Sequence, residues 1–359
     1  MFSVSICFLD CVGMFLILAI LVFALLIYST AVMAADYTVH KLANGQTVVI
    51  YEIHDNPIVT IDTWIKTGSI NENNKNNGVS HFLEHLFFKG TKAHPVGDMD
   101  RILESKGAVV NAATSKDFTH YYITIPSADF DTALDLHSDM LLNPQIPRAE
   151  LEKERKVVLE EIAKDENAPS KIVWENLNDL MYTIHPYKRK VIGTTDIIST
   201  IPREEILDYF NKYYSPSNMV TLVVGDINTA KTLSKIQKSF NQEYKKPIKT
   251  TFKKEPSLQS QKRKVEYSDT QSGYMMVGFR GADIFSKDTF ALDILAQVLG
   301  GSNSSILYRN IKEQNNLAHS ISSLNMSLRD DGIFYITANF LPRNMERLEN
   351  AIFENVSNS

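Results

Sequence analysis

Cysteine is almost absent from this chain: the only two, Cys7 and Cys11, fall within the first eleven residues. The body therefore has no disulfide framework, no cysteine-ligated metal and no thiol nucleophile. Charge of one sign is also lacking, since 37 Lys and Arg stand against 42 Asp and Glu for a formal net charge of −5. Without a basic footprint, nucleic acid is not an expected partner. With 15 Gly and 12 Pro in 359 residues, the chain is neither collagen-like nor of low complexity. That length, at 44% hydrophobic residues, suffices for a large core and for two domains. Any catalysis must run through His, Asp or Glu, Ser or Thr, Lys or Tyr.

Charge is missing altogether between Asp10 and Asp36. Within that gap Met14 to Tyr28 is an unbroken apolar run of fifteen residues. The run is short for a membrane-spanning helix and at the upper end for the hydrophobic region of a signal peptide. Small residues follow it, and cleavage after Ala34 is expected, although the segment lacks the usual basic start. Residues 1–35 are thus read as a signal peptide or membrane anchor, and the protein as exported, periplasmic or membrane-anchored.

From Tyr37 the pattern is globular. Tyr37 to Tyr51 reads as a hairpin turning at Asn44-Gly45, and Ile58 to Lys66 as a strand rich in β-branched residues. A polar loop from Asn71 to Gly78 leads into a helix. Tyr121 to Ile125 is a strand, Ala128 to Leu142 an amphipathic helix, and Arg148 to Lys164 a charged helix. Asn218 to Val224 reads as a buried strand. Lys245 to Arg263, rich in Lys, Pro, Ser and Gln, reads as an interdomain linker. The second half then repeats the first. Gly68 and Gly281 close similar strands 213 positions apart, and Tyr122-Ile123-Thr124 recurs as Tyr335-Ile336-Thr337 at the same offset. At that offset His81 to His85 maps onto Ile294-Leu295-Ala296-Gln297-Val298, which holds no metal ligand. The offset also predicts a second copy running roughly a hundred residues beyond Ser359.

His81-Phe82-Leu83-Glu84-His85 carries the chemistry. At about 100° per residue on a helix, His81 and His85 lie about 40° apart, and Glu84 lies about 60° to the other side of His81. Two imidazoles one turn apart can share one Zn²⁺, leaving Glu84 beside the open position. Only nine histidines occur in the chain, so this spacing is informative. Six of the others read as strand (His120), helix-face (His137), loop (His94, His185) or hairpin-surface residues (His40, His54). A third ligand is needed, and the charged helix offers Glu150, Glu152, Glu154, Glu160 and Glu161. Its apolar face is Leu151, Val158 and Ile162. Glu154 and Glu161 border that face, whereas Glu160 points to solvent.

The sequence resembles the pitrilysin-type (M16) zinc metallopeptidases, in the branch of the mitochondrial processing peptidase β subunit and its bacterial relatives. That family carries H-x-x-E-H and, about 76 residues on, a Glu ligand in an E-R-x-V-x-x-E-E-like helix. Here His85 and Glu161 are 76 positions apart, and Glu154-Arg155-Lys156-Val157-Val158-Leu159-Glu160-Glu161 matches that helix. The resemblance implies that His81, His85 and Glu161 bind one Zn²⁺ per chain, that Glu84 is the catalytic base and that Glu154 stands behind the ligands. It continues through Gly107 to Thr114, where the family presents an edge strand to substrate, so that Asn111 and Ala112 are expected to bind it. It extends further to His185-Pro186-Tyr187, Val191-Ile192-Gly193 and the segment from Pro216.

The second half departs from the family pattern. The Arg and Tyr that contact substrate near the zinc in active relatives correspond to Lys312 and His319. Lys keeps the charge without the planar fork. The resemblance implies an α+β fold of two repeated domains, each a mostly antiparallel sheet packed by helices, the second C-terminally incomplete. The expected organisation is a catalytic zinc-binding domain over 36–244, a linker over 245–263 and a second homologous domain without zinc ligands over 264–359. The function expected is a zinc-dependent endopeptidase acting on extended peptides or unfolded segments. The alternative is a non-catalytic core-subunit-like assembly protein or an inactive truncated member. A homologous partner subunit or homo-oligomer is expected, with membrane contact through the N-terminal apolar segment.

Overall fold

Strand β3 (Ile58–Ile65) shows how the first lobe is layered. Val59, Ile61, Thr63 and Ile65 are buried, while Thr60, Asp62 and Trp64 between them are half-exposed. Such alternation marks a sheet covered by helices on one face only. The computed structural model, which describes residues 36–358, sets β3 in a six-stranded sheet with β1 (Tyr37–Lys41), β2 (Thr47–Glu52), β4 (Val109–Thr114), β5 (Thr119–Pro126) and β6 (Met219–Gly225). The strand order is β1-β2-β6-β3-β5-β4. β2 runs parallel to β6, and β3 is antiparallel to both β6 and β5. β4 pairs with β5 alone and forms an edge.

Helices α1 (Val79–Phe87), α2 (Asp98–Ser105), α3 (Phe130–Leu142), α4 (Arg148–Glu166), α5 (Pro169–Met181), α6 (Arg203–Tyr213) and α7 (Thr229–Ser239) complete this lobe. Phe82, Leu86, Phe87, Leu134, Leu141 and Val158 of the helices share one core with Ile61, Ile65 and Tyr121 of the sheet. One polar chain threads this core: His137 Nε2 meets Thr63 Oγ1 at 2.9 Å, and Thr63 meets Thr221 at 2.8 Å. His137, read as a helix-face residue, is fully buried, and burial lowers its pKa to about 3. Its face of α3 is turned to the sheet, which apolar spacing alone did not show.

The second lobe repeats the unit. β7 (Gly273–Gly281), α8 (Asp288–Gly300), β8 (Ser320–Ser327), β9 (Gly332–Phe340) and α9 (Met345–Ser357) follow one another as β3, α1, β4, β5 and α3 do. The order β7-β9-β8 reproduces β3-β5-β4, with antiparallel pairing throughout. The register corrects one detail of the repeat. Ile61 pairs with Ile123, and Val277 with Ile336. Keeping β9 at offset 213 from β5 (336 minus 123) therefore sets β7 at 216 from β3 (277 minus 61). Gly68 and Gly281 are alike in sequence but not equivalent in the sheet. A three-residue slip reverses which side chains face the core, and Met275, Val277 and Phe279, not Met276, pack against the second lobe's helices.

Residues 241–272 form no helix or strand, yet they are tied to the body. The Glu255 carboxylate accepts the backbone N–H groups of Thr183, Ile184 and His185 and the Thr183 hydroxyl. His185, read as a loop residue, lies in that loop and is buried there. A third apolar cluster joins Ile70, Leu177, Met181, Tyr182 and Tyr187 to Leu328 and Ile333, so the two lobes share a core.

The expected export or membrane anchoring is corrected here. Among the described residues no helix is long and apolar enough to cross a membrane. The longest, α4, has 19 residues and is charged along its whole length. The Met14–Tyr28 run and the cleavage point after Ala34, on which that expectation rested, lie outside the described residues.

Candidate metal centre

The start of α1 is built before its histidines are reached. The first N–H groups of a helix have no partner within it, and Gly78 offers no side chain to cap them. Glu72 does this instead: its carboxylate accepts Gly78 N–H at 2.7 Å, Ser80 N–H at 2.9 Å and Asn77 Nδ2 at 2.8 Å. Glu72 is buried, and burial pushes its pKa up. Gly78 has φ +97, and a Cβ there would sit 2.7 Å from the Cα of Gly193. Only glycine combines that backbone conformation with so close an approach.

One turn further on, α1 faces α4. His81 Nε2 lies 3.7 Å from Glu161 Oε2, and His85 Nε2 lies 3.6 Å from the same oxygen. One ligand atom from each of His81, His85 and Glu161 fits within a span of 4.8 Å. A tetrahedral zinc ion with bonds of about 2.0–2.2 Å needs ligand atoms about 3.3–3.6 Å apart. The two His–Glu161 distances lie within about 0.1 Å of that range. His81 is held neutral, its pKa lowered to about 4 by burial and then by the neighbouring His85 and Lys171. A neutral imidazole is the form that ligates metal.

Glu154, one of the two α4 acids bordering the buried face, sits behind His85. Its Oε2 accepts His85 Nδ1–H at 3.2 Å, and its Oε1 pairs with Lys89 Nζ at 3.0 Å. Fixing Nδ1 as the donor leaves the His85 Nε2 lone pair directed at the cluster. Arg155 anchors α4 from the other side through the carbonyls of Ile198 and Ile201. Glu160 is exposed and outside the cluster.

Glu84 does not join the three. Its Oε2 accepts the hydroxyl of Thr114, the last residue of β4. Burial raises the Glu84 pKa, opposed by the Thr114 hydrogen bond. Asn111 and Ala112 lie on the same edge strand, where the Ala112 N–H is taken by Asn111 Oδ1 at 2.9 Å. Lys312 and His319 are not brought to this cluster by any hydrogen bond or ion pair. Lys312 Nζ lies over the Tyr308 ring at 4.5 Å, and the backbone of exposed His319 is fixed to Asn339. Glu72 and Thr114 are the site residues that sequence reasoning missed. Glu72 stands in the polar loop just ahead of the motif, and Thr114 ends the edge strand, but neither spacing reveals its partner.

A His/His/Glu cluster able to hold a metal ion thus lies on two packed helices beside the sheet edge. Two family models match the chain: "Insulinase (Peptidase family M16)" over residues 47–195 and "Peptidase M16 inactive domain" over 200–358. The chain belongs to the M16 peptidase family. It is 33% identical over 317 residues to a Bacillus subtilis protein named uncharacterized zinc protease YmxG, covering 88% of this chain and 76% of that one. To zinc protease PqqE of Helicobacter pylori it is 32% identical over 303 residues, 83% and 68% of the two chains. The probable mitochondrial-processing peptidase subunit beta of Arabidopsis thaliana is 27% identical over 317 residues, 85% of this chain and 60% of that one. Among solved structures, a protease from Helicobacter pylori superposes with TM-score 0.86 at 31% identity, covering 89% of this chain and 79% of the other.

Proposed function

We propose that this chain is a zinc-dependent endopeptidase that hydrolyses extended peptides or unfolded polypeptide segments. The convergence of His81, His85 and Glu161, with Glu84 set beside them against the edge strand, carries this reading. His81, His85 and Glu161 would hold one zinc ion, and the chemistry it supplies when bound is Lewis acidity, polarising a carbonyl and acidifying water. Glu84 accepts a proton from the attacking water and returns it to the leaving amine. Its raised pKa suits a group that must both take and give a proton near neutrality. Thr114 keeps the carboxylate turned to one side, and Glu154 keeps His85 in the ligating tautomer.

The substrate lies along β4, whose outer edge pairs with no strand among the described residues. An added peptide strand would use the main-chain groups of this edge, the Asn111 side chain giving up the Ala112 N–H to it. Recognition through main chain favours extended or unfolded segments. Lys312 and His319 belong to a segment that touches substrate in active relatives, so we assign the chain a homologous partner subunit or a second copy that completes this contact. The subunit name of the Arabidopsis relative agrees with that assignment.

The test is hydrolysis of a fluorogenic extended peptide by the purified, zinc-loaded chain. Glu84→Gln should keep its zinc and lose about 10²- to 10⁴-fold in kcat/KM. Retention of a tenth of the wild-type rate would refute the role of Glu84. Sedimentation alongside the assay decides the partner question, since a monomer with full zinc-dependent turnover needs none.

A further inference from the structure

The pairing registers lay out the uncovered face of the first sheet as a grid. One row across β4, β5, β3 and β6 is Ala113, His120, Trp64 and Val220. The next is Asn111, Tyr122, Asp62 and Leu222. All of these are exposed or half-exposed, whereas the residues between them in sequence are largely those that face the helices.

Three rings on this grid are stacked. Trp64 and His120 lie 4.4 Å apart at 27°, and His120 and Tyr122 lie 6.1 Å apart at 24°. Asp62 fixes two of them. Its carboxylate accepts Trp64 Nε1–H at 2.8 Å and His120 Nδ1–H at 3.1 Å. An ionised carboxylate can only accept, so His120 carries its proton on Nδ1. Asp62 therefore orients the platform, and the ring faces rather than the carboxylate are what it offers to a ligand. His120 pairs with Ala113, the neighbour in β4 of Thr114, whose hydroxyl is bonded to Glu84, so the stack lies at the same end of the edge strand as that carboxylate.

Between His120 and the open edge of β4 the grid places Ala113, whose side chain is a single methyl group, while Asn111 stands beside Tyr122. Because the Ala112 N–H is bonded to Asn111 Oδ1, it points outward from the β4–β5 ladder. A peptide strand on this edge would then form its hydrogen-bonded pair at Ala112, and its residue beside Ala113 would lie in the closer, non-hydrogen-bonded pair with its side chain on the ring-bearing face. That residue would be about 10 Å from the β5 backbone, a span that its own side chain and the His120 ring close above the methyl. Small side chains cannot close it.

We propose that the Trp64–His120–Tyr122 stack is a specificity subsite that takes a large apolar or aromatic side chain from the peptide residue beside Ala113. This rests on the reading of β4 as the substrate strand. Uncut binding and cleavage are measured separately so that the two can fail separately. The probes are ten-residue peptides of Ala and Ser in which one Phe is walked through every position. Binding is read by fluorescence anisotropy on the full zinc-loaded chain carrying Glu84→Gln. One Phe position should strengthen binding about tenfold over the peptide without Phe, a step in the range of hydrophobic pocket discrimination. Ala113→Leu, an exposed change that blocks the path, should reduce that preference to within about twofold, and His120→Ala should do the same. No favoured Phe position, or a preference unchanged by Ala113→Leu, would overturn the subsite. If the peptides bind with this preference but the Glu84 chain cleaves none of them, the subsite stands and the peptidase reading falls.

Discussion

Helices α1 and α8 hold the same place in their lobes, each following the strand that opens its repeat. On α1 the buried residues are almost all apolar, His81 and His85 face α4, and Glu84 meets Thr114 of β4. On α8 Ala296 and Leu299 are buried, but Phe290 is 71% exposed and Ile294 67% exposed. Two copies of one fold thus differ in what their helices turn away from the sheet and in what is layered over them. The α+β unit supplies a rigid platform, and a second helix with a carboxylate at the right height makes it a candidate metal site.

The largest effects should come from removing that difference. His81→Ala, His85→Ala and Glu161→Gln should each lose the one bound zinc and reduce peptide hydrolysis to background, while Glu160→Gln on the same helix keeps both. Metal analysis showing a full complement in Glu161→Gln would break the assignment. Next in size, Glu154→Gln should weaken zinc binding about 10- to 100-fold, because the His85 ring loses its anchor. Competition with a chromogenic chelator measures this, and unchanged affinity would leave Glu154 as only a partner of Lys89.

Acid should act on the first lobe through His137. Its folded pKa of about 3 lies below the ordinary value of 6.5. The unfolded chain therefore binds the extra proton, and this contribution is complete above about pH 6.5 and lost as pH falls toward 3. Urea titrations between pH 6 and pH 4 should show a slope near 1.4 kcal/mol per pH unit from this residue, absent in His137→Phe. An unchanged slope in the variant would rule this out. The smallest effect is expected in the second lobe. Lys312→Ala and His319→Ala should each change kcat/KM of the isolated chain by less than about twofold, since neither reaches the cluster. A tenfold loss would show that the second lobe contributes to the reaction within one chain.

The sequence made the cluster legible because its residues obey helical periodicity. His81 and His85 are one turn apart, and Glu154 and Glu161 both border the buried face of their helix, so local geometry narrowed the third residue to two and the family resemblance pointed to Glu161. The strands β3, β5 and β6 were legible for a similar reason, their β-branched runs being bounded by turns. Contacts between elements far apart in the chain were not. Thr114 is 30 residues from Glu84, and Glu255 is 70 to 72 residues from the loop it holds. No periodic pattern links such pairs. The buried state of His137 and His185 was hidden likewise, because it depends on the neighbours that close over them. The three-residue slip between the repeats shows the limit of matching short strings when pairing decides register.

The place of β6 bears on how the protein is made. This strand, Met219–Gly225, is inserted between β2 and β3, which are themselves only six residues apart in sequence. During synthesis the chain emerges in order, at about 5–20 residues per second. His81, His85 and Glu161 are all available by residue 161, but the middle of their sheet is missing until residue 225 has left the ribosome. Long-range pairing of this kind is slow to form. A nascent chain ending between those two points carries every candidate metal ligand over an unfinished sheet, so the cluster takes its final shape only after the strand at 219–225 has been inserted.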